Sequence, residues 1–178
     1  MGIDRDAMVT VQRRWCLLCG IVLLLLFWIA LVERGVRGDA ALNPVGVSGA
    51  VLMFCGVGLR LSAIRALGPQ FRNEVRTERD GQLVRSGIYR VLRHPSELGN
   101  LLVALGCVLL LQSMVAAAVW VVMFLPVVLV RVRQEDRLLR GVFGSEFEQY
   151  VDEVGGLAPG FRRFREPHRP TRVSSRGL

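Results

Sequence analysis

Lysine is missing altogether: all 23 basic residues are arginine, so the formal charge of +8 cannot be relieved by deprotonation on burial. The four cysteines, Cys16, Cys19, Cys55 and Cys107, all lie inside apolar runs. The C-L-L-C pair of Cys16 and Cys19 has no second cysteine or histidine pair to complete a tetrahedral site, so buried thiols are expected rather than a metal or redox centre. Gly56-x-Gly58 follows no strand, which removes a dinucleotide fingerprint. No nucleic-acid motif accompanies the arginines, which flank apolar spans, so no nucleic-acid partner is expected; anionic lipid headgroups suit them better. The first apolar run lacks an A-x-A-like site after it and is too long for a signal peptide, so it reads as a retained span. The C-terminal "SRGL" offers no prenylation signal, and no internal repeat occurs.

What the chain has is apolar length. Its 178 residues are 52% hydrophobic with a mean hydropathy of +0.40, too apolar for an ordinary soluble domain. Residues 15–32 carry no charge and read as a first span. A second covers about 42–62, with Pro44 near its start and glycines at 46, 49, 56 and 58 that permit close helix contact. Leu98 to Val130 is uncharged throughout, ~50 Å as one helix, so it must fold back. Gln112-Ser113 is the polar break, giving spans at about 95–111 and 114–133, with a kink expected at Pro126. The fold class expected is all-α integral membrane, with four transmembrane helices.

Charge orients these spans. The connection from Arg60 to His94 holds eight arginines against three acids, and the chain from Arg131 onward ten against seven, while the loop at 33–39 is balanced. The positive-inside rule then puts both termini and the long connection in the cytoplasm. Asp80-Gly81 signals a small hairpin in that connection. The fourth helix should run on to Phe143 and stop at Gly144; Ser145 and Glu148 resemble a capping box for a short amphipathic helix to about 154, which either lies on the membrane surface or covers the site. A single domain, 1–164, and a disordered Arg-rich tail, 165–178, complete the organisation. Arginine without lysine fits a bacterial plasma membrane.

Two clusters carry chemistry. In Arg93-His94-Pro95-Ser96-Glu97, proline at the first helical position leaves the free N–H groups of the first turn at the interface, where an anion is welcome. The same residues also suit a plain helix anchor at headgroup level. Glu135 and Asp136 lie about one turn past the apolar end of the fourth span, near the depth of His94, where they either stabilise the helix end or, with the first cluster, clasp a zwitterion.

The succession Arg60-x-x-Ala63-x-x-x-Leu67-Gly68-x-x-Phe71, Leu83-Val84-x-x-Gly87-x-Tyr89-Arg90, Arg93-His94-Pro95-Ser96-x-x-Gly99, Arg131-x-Arg133-x-Glu135-Asp136-x-Leu138-Leu139, Phe143-Gly144-x-Glu146-x-x-x-Tyr150 and Leu157-x-Pro159 resembles the isoprenylcysteine carboxyl methyltransferases and their bacterial relatives. The resemblance covers residues 60–160. It implies an integral-membrane enzyme that uses S-adenosylmethionine to methylate a membrane lipid or a lipidated, amphiphilic substrate. By it, His94, Pro95 and Arg93 contact the cofactor, Glu135 takes its ammonium, Tyr89 and Gly99 shape the pocket, and Arg133 orients an anionic substrate group. Glu97 departs from the family's usual aromatic; it either complements the helix dipole or acts as a base for an amine, thiol or hydroxyl acceptor. Asp136 stands where a glutamate is usual. The rival reading is a non-catalytic accessory or transport protein on the same scaffold.

Overall fold

A computed structural model describes residues 5–38, 43–68 and 83–159. The described residues are helical, with no β-strand among them. The expected hairpin around Asp80-Gly81 and the tail from 165 lie outside them. Five helices follow in order: α1 Arg5–Arg37, α2 Pro44–Leu67, α3 Pro95–Leu111, α4 Met114–Phe143 and α5 Ser145–Glu153, with a short 3-10 turn at Gly87–Arg90 before α3. Three of them, from Leu17 in α1, along α2 and along α4, are long and apolar enough to cross a membrane; α3, at 17 residues, is apolar but shorter.

Lipid-facing surfaces explain why so many large apolar side chains stay exposed. Along α1, Leu17, Ile21, Leu24 and Trp28 face outward, while Cys19, Val22, Leu26 and Ala30 recur at helical spacing on the buried face. That face packs with Ala104 and Val108 of α3 and with Ala116, Phe124 and Val128 of α4. In lipid such packing is held by van der Waals contact rather than by escape from water, which favours small residues at the seams.

The α2–α3 seam is built from glycine. Gly49 and Gly56 on α2 are seven residues apart, as are Gly99 and Gly106 on α3. The antiparallel helices pair Gly49 with Gly106 and Gly56 with Gly99: a Cβ on Gly106 would lie 2.6 Å from the carbonyl oxygen of Gly49, and one on Gly56 2.7 Å from that of Gly99. Asn43 starts α2 by accepting the Gly46 N–H at 2.9 Å, with Pro44 in the first turn.

The turn expected at Gln112-Ser113 is present. Gln112 adopts the left-handed conformation, φ 54°, and Ser113 caps α4 by accepting the Ala116 N–H at 2.9 Å. Side chains from α1 close this end of the bundle. Glu33 accepts from the Ser113 hydroxyl and from the N–H groups of Met114 and Val115 at the start of α4, while Arg34 donates to the Leu110 carbonyl at 3.1 Å and Arg37 to that of Gln112 at the end of α3. An anion at a helix N-terminus and cations at a C-terminus match the helix dipoles.

One local expectation is sharpened and one corrected. Pro126 cannot donate to the carbonyl of residue 122, and just before it α4 forms a π turn, Trp120–Phe124, in which the Leu125 N–H reaches back five residues to Trp120. Ser145 makes no capping box: Gly144, at φ +52°, ends α4 and precedes α5 with no side-chain cap. The change of direction comes from the glycine, so the serine hydroxyl is not needed for it. The apolar stripe of α5 does not lie free; Phe147 and Tyr150 pack with Leu83, Leu139 and Val154 and cover the far end of α4.

Candidate active site

At the bundle end opposite the Gln112 turn, residues 92–94 run beside the segment that follows α5. Leu92 and Gly155 form a parallel bridge, the Arg93 N–H donates to the Gly155 carbonyl at 2.8 Å, and that of His94 to Gly156 at 3.1 Å. Gly155-Gly156 thus stitches the chain after α5 onto the start of α3. His94 is then the residue before the first turn of α3, with Pro95 at the first helical position.

The His94 side chain is fully buried and lies between two consecutive acids of α4. Its Nδ1 is 3.3 Å from Glu135 Oε2 and its Nε2 2.8 Å from Asp136 Oδ1. Both ring nitrogens thus face carboxylate oxygens, although a neutral imidazole can donate from only one. Arg93 supports Asp136 and the segment after α5: its Nη1 donates to Asp136 Oδ2 at 2.9 Å and its Nε to the Val154 carbonyl at 2.9 Å. The depth match expected between His94 and Glu135 is therefore present as direct contact. The two chain segments close on each other, so a zwitterion would have to enter between groups that already face one another.

One turn deeper, Arg131 and Glu97 form a second buried pair, Nη2 to Oε1 3.2 Å, with side-chain exposures of 10% and 4%. The other oxygen of Glu97, Oε2, is buried and has no hydrogen-bond partner among the described residues. Glu97 is thus neither at the surface complementing a dipole nor against apolar groups alone. Next to it on α3, Asn100 accepts from Arg60 of α2.

Other expected site residues fall differently. Pro95 is buried at the helix start beside His94. Tyr89 is buried with Ala63 and Val84 and its carbonyl accepts from the Tyr150 hydroxyl at 2.6 Å, so it ties α5 down over the cluster. Gly99 packs against α2: a Cβ there would lie 2.8 Å from the Gly56 carbonyl oxygen and 3.2 Å from Arg60, which accounts for its missing side chain by helix contact rather than by a pocket. Arg133 is exposed, away from the buried face of α4 formed by Val128, Arg131, Val132, Glu135 and Leu139. Two residues along a helix turn by about 200°, so Arg131 and Arg133 cannot share a face. The sequence resemblance favours Arg133; the four-residue spacing of Arg131 and Glu135 is the signal that could have singled out Arg131 instead.

Comparisons with known proteins place the chain in a family. The model of the isoprenylcysteine carboxyl methyltransferase (ICMT) family matches residues 49–141. The protein-S-isoprenylcysteine O-methyltransferase of Saccharomyces cerevisiae is 32% identical over 111 residues, covering 61% of this chain and 46% of that protein. The one of Schizosaccharomyces pombe is 35% identical over 106 residues, 58% of this chain and 45% of its own length. A probable protein-S-isoprenylcysteine O-methyltransferase of Oryza sativa subsp. indica is 29% identical over 117 residues, 65% of this chain and 61% of that protein. The chain thus spans about half to three-fifths of the length of these relatives. The solved structure of the eukaryotic intramembrane Ras methyltransferase ICMT shares the fold, with a TM-score of 0.60 at 22% identity over 92% of this chain and 56% of that one. The family model matches over half of the chain, across the helices that bring His94, Glu97, Arg131 and Glu135 together, and the chain belongs to the ICMT family.

Proposed function

We propose that this chain is an S-adenosylmethionine-dependent methyltransferase that transfers a methyl group to the carboxylate of a lipidic acceptor. In this reading four helices cross the membrane and the His94 end faces the cytoplasm. The observation that carries the proposal is the burial of His94 between Glu135 and Asp136, beside Arg93, where residues 42 positions apart in sequence meet. The names of the relatives supply the reaction class. The excess of arginine in the Arg60–His94 connection and after Arg131 supports the orientation.

The donor set fits a zwitterionic methyl donor. Glu135 and Asp136 offer carboxylates for an ammonium, while Arg93 and the first N–H groups of α3 offer donors for a carboxylate. When bound, S-adenosylmethionine supplies an electrophilic methyl on a sulfonium. The residues of this chain then align and exclude water: Tyr150 and Tyr89 hold α5 over the cluster, and Pro95 fixes the backbone from which His94 projects. An acceptor carboxylate is ionised near neutral pH and needs no base, so Glu97 is not required as one. Arg133 faces outward, where it meets headgroups of anionic lipid or of the acceptor.

Thermal unfolding of the detergent-purified chain tests the cofactor site. S-adenosylhomocysteine at a hundredfold over its dissociation constant stabilises a binding protein by about 2.7 kcal/mol, so a clear rise in Tm is expected, absent in Glu135→Ala. Lack of any rise in the parent would favour the non-catalytic reading. Membranes given methyl-labelled cofactor should yield a base-labile labelled lipid or lipidated product.

A further inference from the structure

We infer that Glu97 selects the methyl acceptor: its inner carboxylate oxygen receives the N–H of an ammonium carried next to the acceptor's carboxylate, so the preferred substrate has a lipidated amino-acid head with a free amine. The inference rests on the methyltransferase reading only for the word acceptor; the binding it describes stands on Glu97 itself.

Glu97 is 3% exposed and lies in the first turn of α3, three residues from His94 and on the same side of the helix. Its Oε1 is engaged by Arg131 at 3.2 Å, whereas Oε2 is buried with no hydrogen-bond partner among the described residues. A carboxylate oxygen shut away from water normally has a donor, and one left without is among the most costly groups to bury. Ammonium is the donor chemistry that answers both the charge and the hydrogen-bonding capacity of that oxygen. Arg131 and Glu97 together present a cation and an anion side by side, the complement of a head group in which a carboxylate and an ammonium are close neighbours. An acceptor with only a carboxylate gains nothing from Oε2 and meets a like charge.

Two amphiphiles that differ only in the amine provide the test: S-farnesylcysteine and S-farnesyl-3-mercaptopropionate, each titrated against the full chain in detergent, with affinity read by thermal shift. The parent should bind the cysteine compound about tenfold more tightly, as a charge-assisted hydrogen bond gives. Glu97→Gln should bring that ratio to within about twofold. Because the glutamine leaves Arg131 without its counter-ion, Glu97→Asp serves as the second variant; it keeps the charge, withdraws the oxygen and should also lower the ratio. Equal binding of the two amphiphiles by the parent overturns the inference, as does an undiminished ratio in either folded variant. An amine preference without any response to S-adenosylhomocysteine would sink the proposed function and leave this inference standing.

Discussion

Removing Arg131 strands a buried carboxylate. Because Glu97 and Arg131 are both nearly excluded from solvent, Arg131→Leu alone should cost about 3–5 kcal/mol, whereas the double change Glu97→Leu with Arg131→Met should recover most of it. Unfolding midpoints of the two variants and the parent check this; a single variant as stable as the parent would mean that the pair is not coupled. The residue scale is also where the sequence was least legible. Its HP pair and acids were readable as a cluster because proline placement and charge at a span end are local signals. Which atoms face which was not, since Glu97 and Arg131 are 34 positions apart and nothing local marks their contact. The choice between Arg131 and Arg133 was readable in principle, because helical spacing puts only the former in line with Glu135 and Leu139.

Among the elements, α2 and α3 depend most on what is missing from their side chains. Gly49 and Gly106 touch backbone to backbone, so alanine at either forces the helices apart and should cost about 1–3 kcal/mol by overpacking. Gly58 has no atom within 4 Å of where its Cβ would stand, and Gly58→Ala should instead stabilise by up to about 1 kcal/mol through helix propensity. Opposite shifts in Tm for Gly106→Ala and Gly58→Ala are the expected result; shifts of the same sign would remove the close seam. Close contact by α2 was legible from its glycine content, and the turn at Gln112 from the length of the uncharged run. The π turn was not, because proline announces a broken hydrogen bond but not how the helix repairs it.

For the whole molecule, the two polar ends are chemically distinct. One is closed by Glu33, Arg34 and Arg37 around the α3–α4 turn; the other gathers His94, Arg93, Glu135 and Asp136 under α5. With all native cysteines replaced, Met114→Cys at the first end and Gln149→Cys at the second should label from opposite sides. An impermeant maleimide should reach position 114 in intact cells and 149 only after the membrane is opened. Labelling of both from one side would overturn the four-span arrangement proposed above. The all-helical fold and its long apolar helices were legible from the order of apolar segments, since hydropathy acts along the chain without need of contacts.

The π turn makes α4 a shaft in two separately indexed parts. Its i→i+5 bond takes up one residue more than a regular turn, and each residue is about 100° of rotation. Upstream, the helix is set by its neighbours in lipid; downstream, that single extra residue decides which side chains point to the centre. Gaining or losing one residue there would swing Val128 together with Arg131 and Glu135 while Met114–Val119 stayed put, so the indexing of this one turn sets apolar packing and charged face at once.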